Sequence, residues 1–128
     1  HLYTPPHLVL DYLASLLNDG GVIILTTPNG AWLKNRLKML RGKNPFELLK
    51  ANRKDMGHIR EYTLTELEDA FADTGLTKLK LDRRGLYNFN NPKDNFYSWL
   101  ADATHPSLRR TLIGVYQKGK SDCAEVIT

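Results

Sequence analysis

Three groups of residues in this chain carry side chains suited to chemistry. His58-Ile59-Arg60-Glu61-Tyr62 sets an imidazole, with an ordinary pKa of about 6.5, near a guanidinium. The pair suits an acid/base or anion-binding role, and it suits equally well a fastening of the preceding loop to a sheet. Lys34, Lys38 and Arg41, continued by Lys43, recur at the spacing of one helical stripe. The plainer reading of that stripe is a solvated face; the sharper one is an anion site. Thr27-Pro28-Asn29 closes an apolar run, and Asn29 is suited either to capping the next helix or to touching a substrate.

The elements that must position these groups are legible from composition. Asn18, Asp19, Gly20 and Gly21 form a turn that feeds Val22-Ile23-Ile24-Leu25. Four consecutive aliphatics fit a strand covered on both faces, as in parallel α/β sheets. Ligands gather at the carboxyl ends of such strands, which makes Pro28-Asn29-Gly30 the first place to look for a site. Upstream, Thr4 is expected to cap a helix opening with Pro5 and Pro6, its apolar face made by Leu8, Val9, Tyr12, Leu13, Leu16 and Leu17.

Downstream, a helix is expected over 31–41, with Leu33, Leu37 and Leu40 opposite the basic stripe. Residues 50–57 have no clear period and read as a loop or flap. Thr63-Leu64-Thr65-Glu66 is a capping box, and its helix should end at Thr74-Gly75. Residues 76–82 alternate, with Thr77, Leu79 and Leu81 on one face, as in a strand near a sheet edge. A turn-rich stretch over 83–94, a short helix over 96–101 and a last strand over 111–117 follow. The link between the last two strands is too irregular to force a parallel crossover, so the final strand is free to run antiparallel. One domain over 1–120 and a tail over 121–128 are expected.

At 128 residues the chain holds one core and no more. Its net charge of +4 is concentrated: nine Lys or Arg fall between Lys34 and Arg60 against two acids. Aromatics are too sparse there to favour nucleic acid. A single cysteine, Cys123, excludes an internal disulfide and fits a reducing, cytoplasmic setting. No apolar run approaches the roughly 20 residues of a membrane span. Complete phosphate-loop, serine-hydrolase and zinc-protease motifs are absent, and the four histidines have no ligand spacing, so no metal is expected.

HLYTPPHLVLDYLASLLNDGGVIILTTPNG and, after a basic linker, GHIREYTLTELEDAFADTGL together resemble the C-terminal half of class I S-adenosylmethionine-dependent methyltransferases. The group containing the ubiquinone-biosynthesis O-methyltransferases and many small-molecule or sugar methyltransferases is similar. In that family a histidine closes the fourth strand, here His1. A double glycine leads into the fifth strand, here Gly20-Gly21, and that strand ends in Thr27-Pro28-Asn29. TLIGVYQKGK resembles the family's last strand, which is antiparallel and slips between the fifth and sixth.

The resemblance implies the C-terminal part of a Rossmann-like seven-stranded α/β sheet. It implies S-adenosylmethionine as cofactor, with His1 near the methyl group and His58, Arg60 and Tyr62 bordering the substrate, beside Asn29 at the strand end. His1 or His58 would be the base. The glycine-rich cofactor loop of the family would lie upstream of His1, and the missing initiator methionine also reads as an excised piece. The acceptor would be a quinone-like, lipid-linked or sugar molecule, and an acidic or membrane-bound one would suit the basic segment. An open edge on the Val22 strand would invite self-association. The rival reading is a non-catalytic module that holds an anionic partner through segment 34–54.

Overall fold

The computed structural model describes residues 4–46, 58, 60–85, 87 and 90–120; His1, the loop at 50–57 and the tail at 121–128 lie outside them. The first helix, α1 (Pro6–Leu16), starts at two prolines, where a missing N–H costs nothing. Thr4 does not cap it. Pro5 occupies the N-cap position, and its carbonyl accepts from the Leu8 N–H at 3.1 Å. The expected apolar face is also corrected. Leu10 and Ala14 are buried, whereas Leu8, Tyr12 and Leu16 are exposed. Apolar residues occur almost all round α1, so periodicity alone leaves its buried side undetermined.

Gly20, at φ +76°, turns the chain out of α1, and the Gly21 N–H donates to Asn18 O at 2.8 Å. The turn delivers β1 (Val22–Pro28). α2 (Leu33–Leu40) follows, shorter at both ends than expected. α3 (Leu64–Ala72) opens with the expected capping box: Thr63 Oγ1 accepts from the Glu66 N–H, and the Thr63 N–H donates to the Glu66 carboxylate. β2 is Leu76–Arg84, α4 is Pro92–Thr104, and a single 3-10 turn, Pro106–Leu108, precedes β3 (Thr111–Lys118).

α4 is longer than the short helix read from sequence because Asn91 caps it, its side-chain oxygen accepting from the Asp94 N–H, and Pro92 opens its first turn.

The sheet runs β1-β3-β2. β3 is antiparallel to both neighbours, as the resemblance implied, so β1 and β2 run parallel with β3 between them. On one face Leu112 and Tyr116 of β3 meet Leu10 of α1 and Leu67, Ala70 and Phe71 of α3. The Phe71 and Tyr116 rings stack with centroids 3.6 Å apart. At the far end, Lys118 Nζ donates to the last carbonyls of α1, Ala14 O at 3.1 Å and Leu17 O at 2.9 Å.

Two strand readings change. β1 is not covered on both faces among the described residues: Val22 and Ile24 are 42% and 72% exposed. The reason is that α1 and α3 cover only the opposite face, and β3 occupies only one edge. In β2, Leu79 does not share a face with Leu81. The register passes from Lys78 opposite Tyr116 to Lys80 opposite Val115, a bulge at Leu79 that reverses the alternation. Leu76 and Leu81, five residues apart, therefore both pack against the core while Leu79 is exposed.

Candidate functional site at the end of β1

Two buried asparagines organise the carboxyl end of β1. The Asn29 N–H donates to Arg110 O at 2.7 Å, and its side-chain amide donates to Arg109 O at 2.8 Å and Ser107 O at 3.3 Å. Its Oδ1 accepts from the Ala31 N–H at 3.1 Å. The residue is 2% exposed, so its side chain is spent tying β1 to the segment that enters β3 and turning the chain toward α2. That turn, rather than an N-cap bond, is the local role: the N-cap position of α2 is Trp32.

Asn35 donates to Gly30 O and to Glu61 Oε2, both at 3.0 Å. With a parallel bridge between Asn29 and Tyr62 and a Gly30 N–H bond to Tyr62 O at 2.9 Å, this holds Glu61 and Tyr62 against the strand end.

Hollows lie around this frame among the described residues. The first, of about 410 Å³, is walled by Thr26, Thr27, Trp32 and His58 and by a set of charged groups: Lys34, Lys38, Arg110, Glu61 and Asp94. Lys34 ion-pairs with Asp94, whose side chain is 9% exposed. Arg110 Nη2 lies 3.7 Å from the other Asp94 oxygen, and its guanidinium sits 5.3 Å from the Trp32 ring centroid. The basic stripe is therefore not simply a solvated face: Lys34 and Lys38 open onto this hollow. A second, mainly apolar hollow of about 210 Å³ lies toward α1, bordered by Leu10, Leu13, Leu25, Arg60 and Tyr62. His58 also lines a third, with Arg36, Met39, Phe46 and Glu66.

A profile of the methyltransferase domain family matches residues 1–81. The chain belongs to that family. No curated protein matches it. Within this methyltransferase domain the residues named from sequence fall as follows. His1 lies outside the described residues. His58 borders the charged hollow. Arg60 is turned outward, paired with Glu66 at 2.8 Å and 5.3 Å from the Tyr62 ring centroid. Tyr62 borders the apolar hollow, and Asn29 is consumed by the frame. No helix among the described residues is long and apolar enough to cross a membrane.

The sequence reading missed Asp94, Arg110, Trp32 and Asn35 as parts of the site. Asn91-Pro92 with an acid two residues on is a helix-start signal that would have marked Asp94 as a first-turn carboxylate. Arg110 has no such local mark. Glu66, in the adjacent capping box, is held below the ordinary carboxylate pKa chiefly by the backbone N–H of Thr63, with further help from Arg60 and the Thr63 hydroxyl.

Proposed function

We propose that this methyltransferase domain supplies the acceptor side of an S-adenosylmethionine-dependent enzyme that methylates a small molecule, at an oxygen of a quinone-like, lipid-linked or sugar acceptor. The observation that carries the reading is the hollow of about 410 Å³ at the carboxyl end of β1, with His58 on its wall. A volume of this size suits a small organic molecule. The reading is also supported by exposed apolar residues on β1, Val22 and Ile24, and on α1, Leu8, Tyr12 and Leu16, surfaces that further elements of a larger Rossmann-like sheet would cover.

The described residues of the charged hollow do not fit the cofactor itself. S-adenosylmethionine presents a sulfonium cation, and this hollow sets Lys34, Lys38 and Arg110 against Glu61 and Asp94. The chemistry assigned to this chain is therefore confined to the acceptor. Thr26, Thr27 and the Trp32 ring shape the space in which the acceptor is oriented. An imidazole nitrogen of His58 takes the proton from the acceptor hydroxyl. Tyr62 and Arg60 border the adjoining apolar hollow, which would take a hydrophobic part of the acceptor. A cytoplasmic setting follows from the lone thiol.

The test is made on the full-length protein. Calorimetry should give S-adenosylmethionine binding, and release of S-adenosylhomocysteine should require a hydroxylated acceptor. H58Q should lower turnover about a hundredfold or more while leaving cofactor affinity unchanged. A folded full-length protein that binds no S-adenosylmethionine defeats the reading. Binding that ignores the cofactor and weakens steeply with salt would instead support the anion-binding module formed by segment 34–54.

A further inference from the structure

The charged hollow carries more positive charge than its own carboxylates neutralise. Asp94 serves two cations at once, closely with Lys34 and loosely with Arg110, at 3.7 Å. Glu61 is engaged by the Asn35 amide at 3.0 Å. Lys38, one helical turn beyond Lys34, opens on the same hollow, and among the described residues no carboxylate is paired with it. Arg110 also lines this hollow, its side chain 28% exposed and no nearer than 3.7 Å to the Asp94 carboxylate. The Trp32 ring under the guanidinium keeps that planar fork in place.

From this arrangement we infer that Lys38 and Arg110 form a subsite for a phosphate group carried by the methyl acceptor. The inference rests on the reading of this hollow as the acceptor side. The exposed part of the Arg110 guanidinium, backed by an indole, brings one positive charge to the phosphate, and a lysine one turn along α2 brings a second. Lys34 belongs to a different function. Its tie to Asp94 fixes α2 against α4. The hollow also offers more room than an inorganic ion fills, which leaves space for the organic part of a phosphate monoester beside His58.

The experiment is calorimetry on the full-length protein with three probes: phenyl phosphate, phenol and inorganic phosphate. S-adenosylmethionine is titrated into the same samples. Phenyl phosphate should bind, more tightly than either phenol or inorganic phosphate. K38Q should weaken it about tenfold, the loss of one charge-assisted contact, and R110Q by at least as much. Cofactor affinity should not move. K38Q changes a partly exposed side chain and serves if R110Q fails to fold. Equal binding of phenyl phosphate and phenol, or an unchanged affinity in folded K38Q, overturns the subsite. Inorganic phosphate binding as tightly as the ester overturns the assignment to the acceptor. A protein that binds cofactor but shows no Lys38-dependent phosphate binding loses only the subsite. One that binds phenyl phosphate through Lys38 but takes no cofactor loses only the methyltransferase reading.

Discussion

Lys34 on α2 is ion-paired with the buried carboxylate of Asp94, sixty residues later in the first turn of α4. The two partners differ in exposure, 30% for the lysine side chain and 9% for the carboxylate. That difference decides which loss hurts more. K34M leaves a largely buried carboxylate with only the looser Arg110 contact at 3.7 Å, and should cost about 2–3 kcal/mol. D94N leaves a lysine that can turn outward, and should cost less. Urea denaturation of both single variants and the double variant gives the coupling. A larger loss in D94N than in K34M would contradict the assignment of the buried partner.

The capping box of α3 links stability to acid. T63A should cost about 1 kcal/mol, measured by urea denaturation at neutral pH. Glu66 is held below its ordinary value of 4.5 in the folded chain. Its contribution is therefore present above that value and lost as pH falls through the lowered folded pKa. The difference in Tm between the natural chain and E66Q should shrink from pH 7 to pH 3. A difference that grows on acidification would reverse the sign of the shift.

Gly114 lets Tyr116 fold against Phe71. A Cβ on Gly114 would lie 3.0 Å from Tyr116 Cε2 and 3.6 Å from Leu81 Cδ1. G114A should push the tyrosine ring off its stack, at about 1–3 kcal/mol, the usual range for overpacking. The near-ultraviolet circular dichroism of the aromatic pair should change with it. A fully stable variant with an unaltered spectrum would remove Tyr116 packing as the reason for glycine here.

The outer face and edge of β1 should make the 128-residue chain associate with itself. Ile24 is 72% exposed beside an edge that no strand pairs with among the described residues. Sedimentation velocity should find the natural chain increasingly associated as concentration rises, and I24K markedly less so. If both stay monomeric over the same range, the bare strand is not an association surface.

Local chemistry in the sequence determined the short-range features. Gly20-Gly21, the Thr63/Glu66 box and the α/β order depend on residues within a turn of one another, so they stand regardless of what packs around them. The ordered motifs from His1 to Gly75 likewise carried the methyltransferase resemblance that the family match supports. What the tertiary structure decided was the facing of α1, β1 and β2, whereas Leu67, Ala70 and Phe71 of α3 face inward as their spacing predicts. α1 is apolar almost all round, so only its packing against α3 and β3 selects Leu10 and Ala14 as the buried pair. The bulge at Leu79 reverses an alternation that reads cleanly in the sequence. Lys34 becomes part of a charged hollow because chain topology brings α4 beside α2, and Asn29 turns inward because the segment entering β3 offers it two carbonyls. Such pairings join residues sixty to eighty positions apart, and local preference carries no information about which distant group arrives.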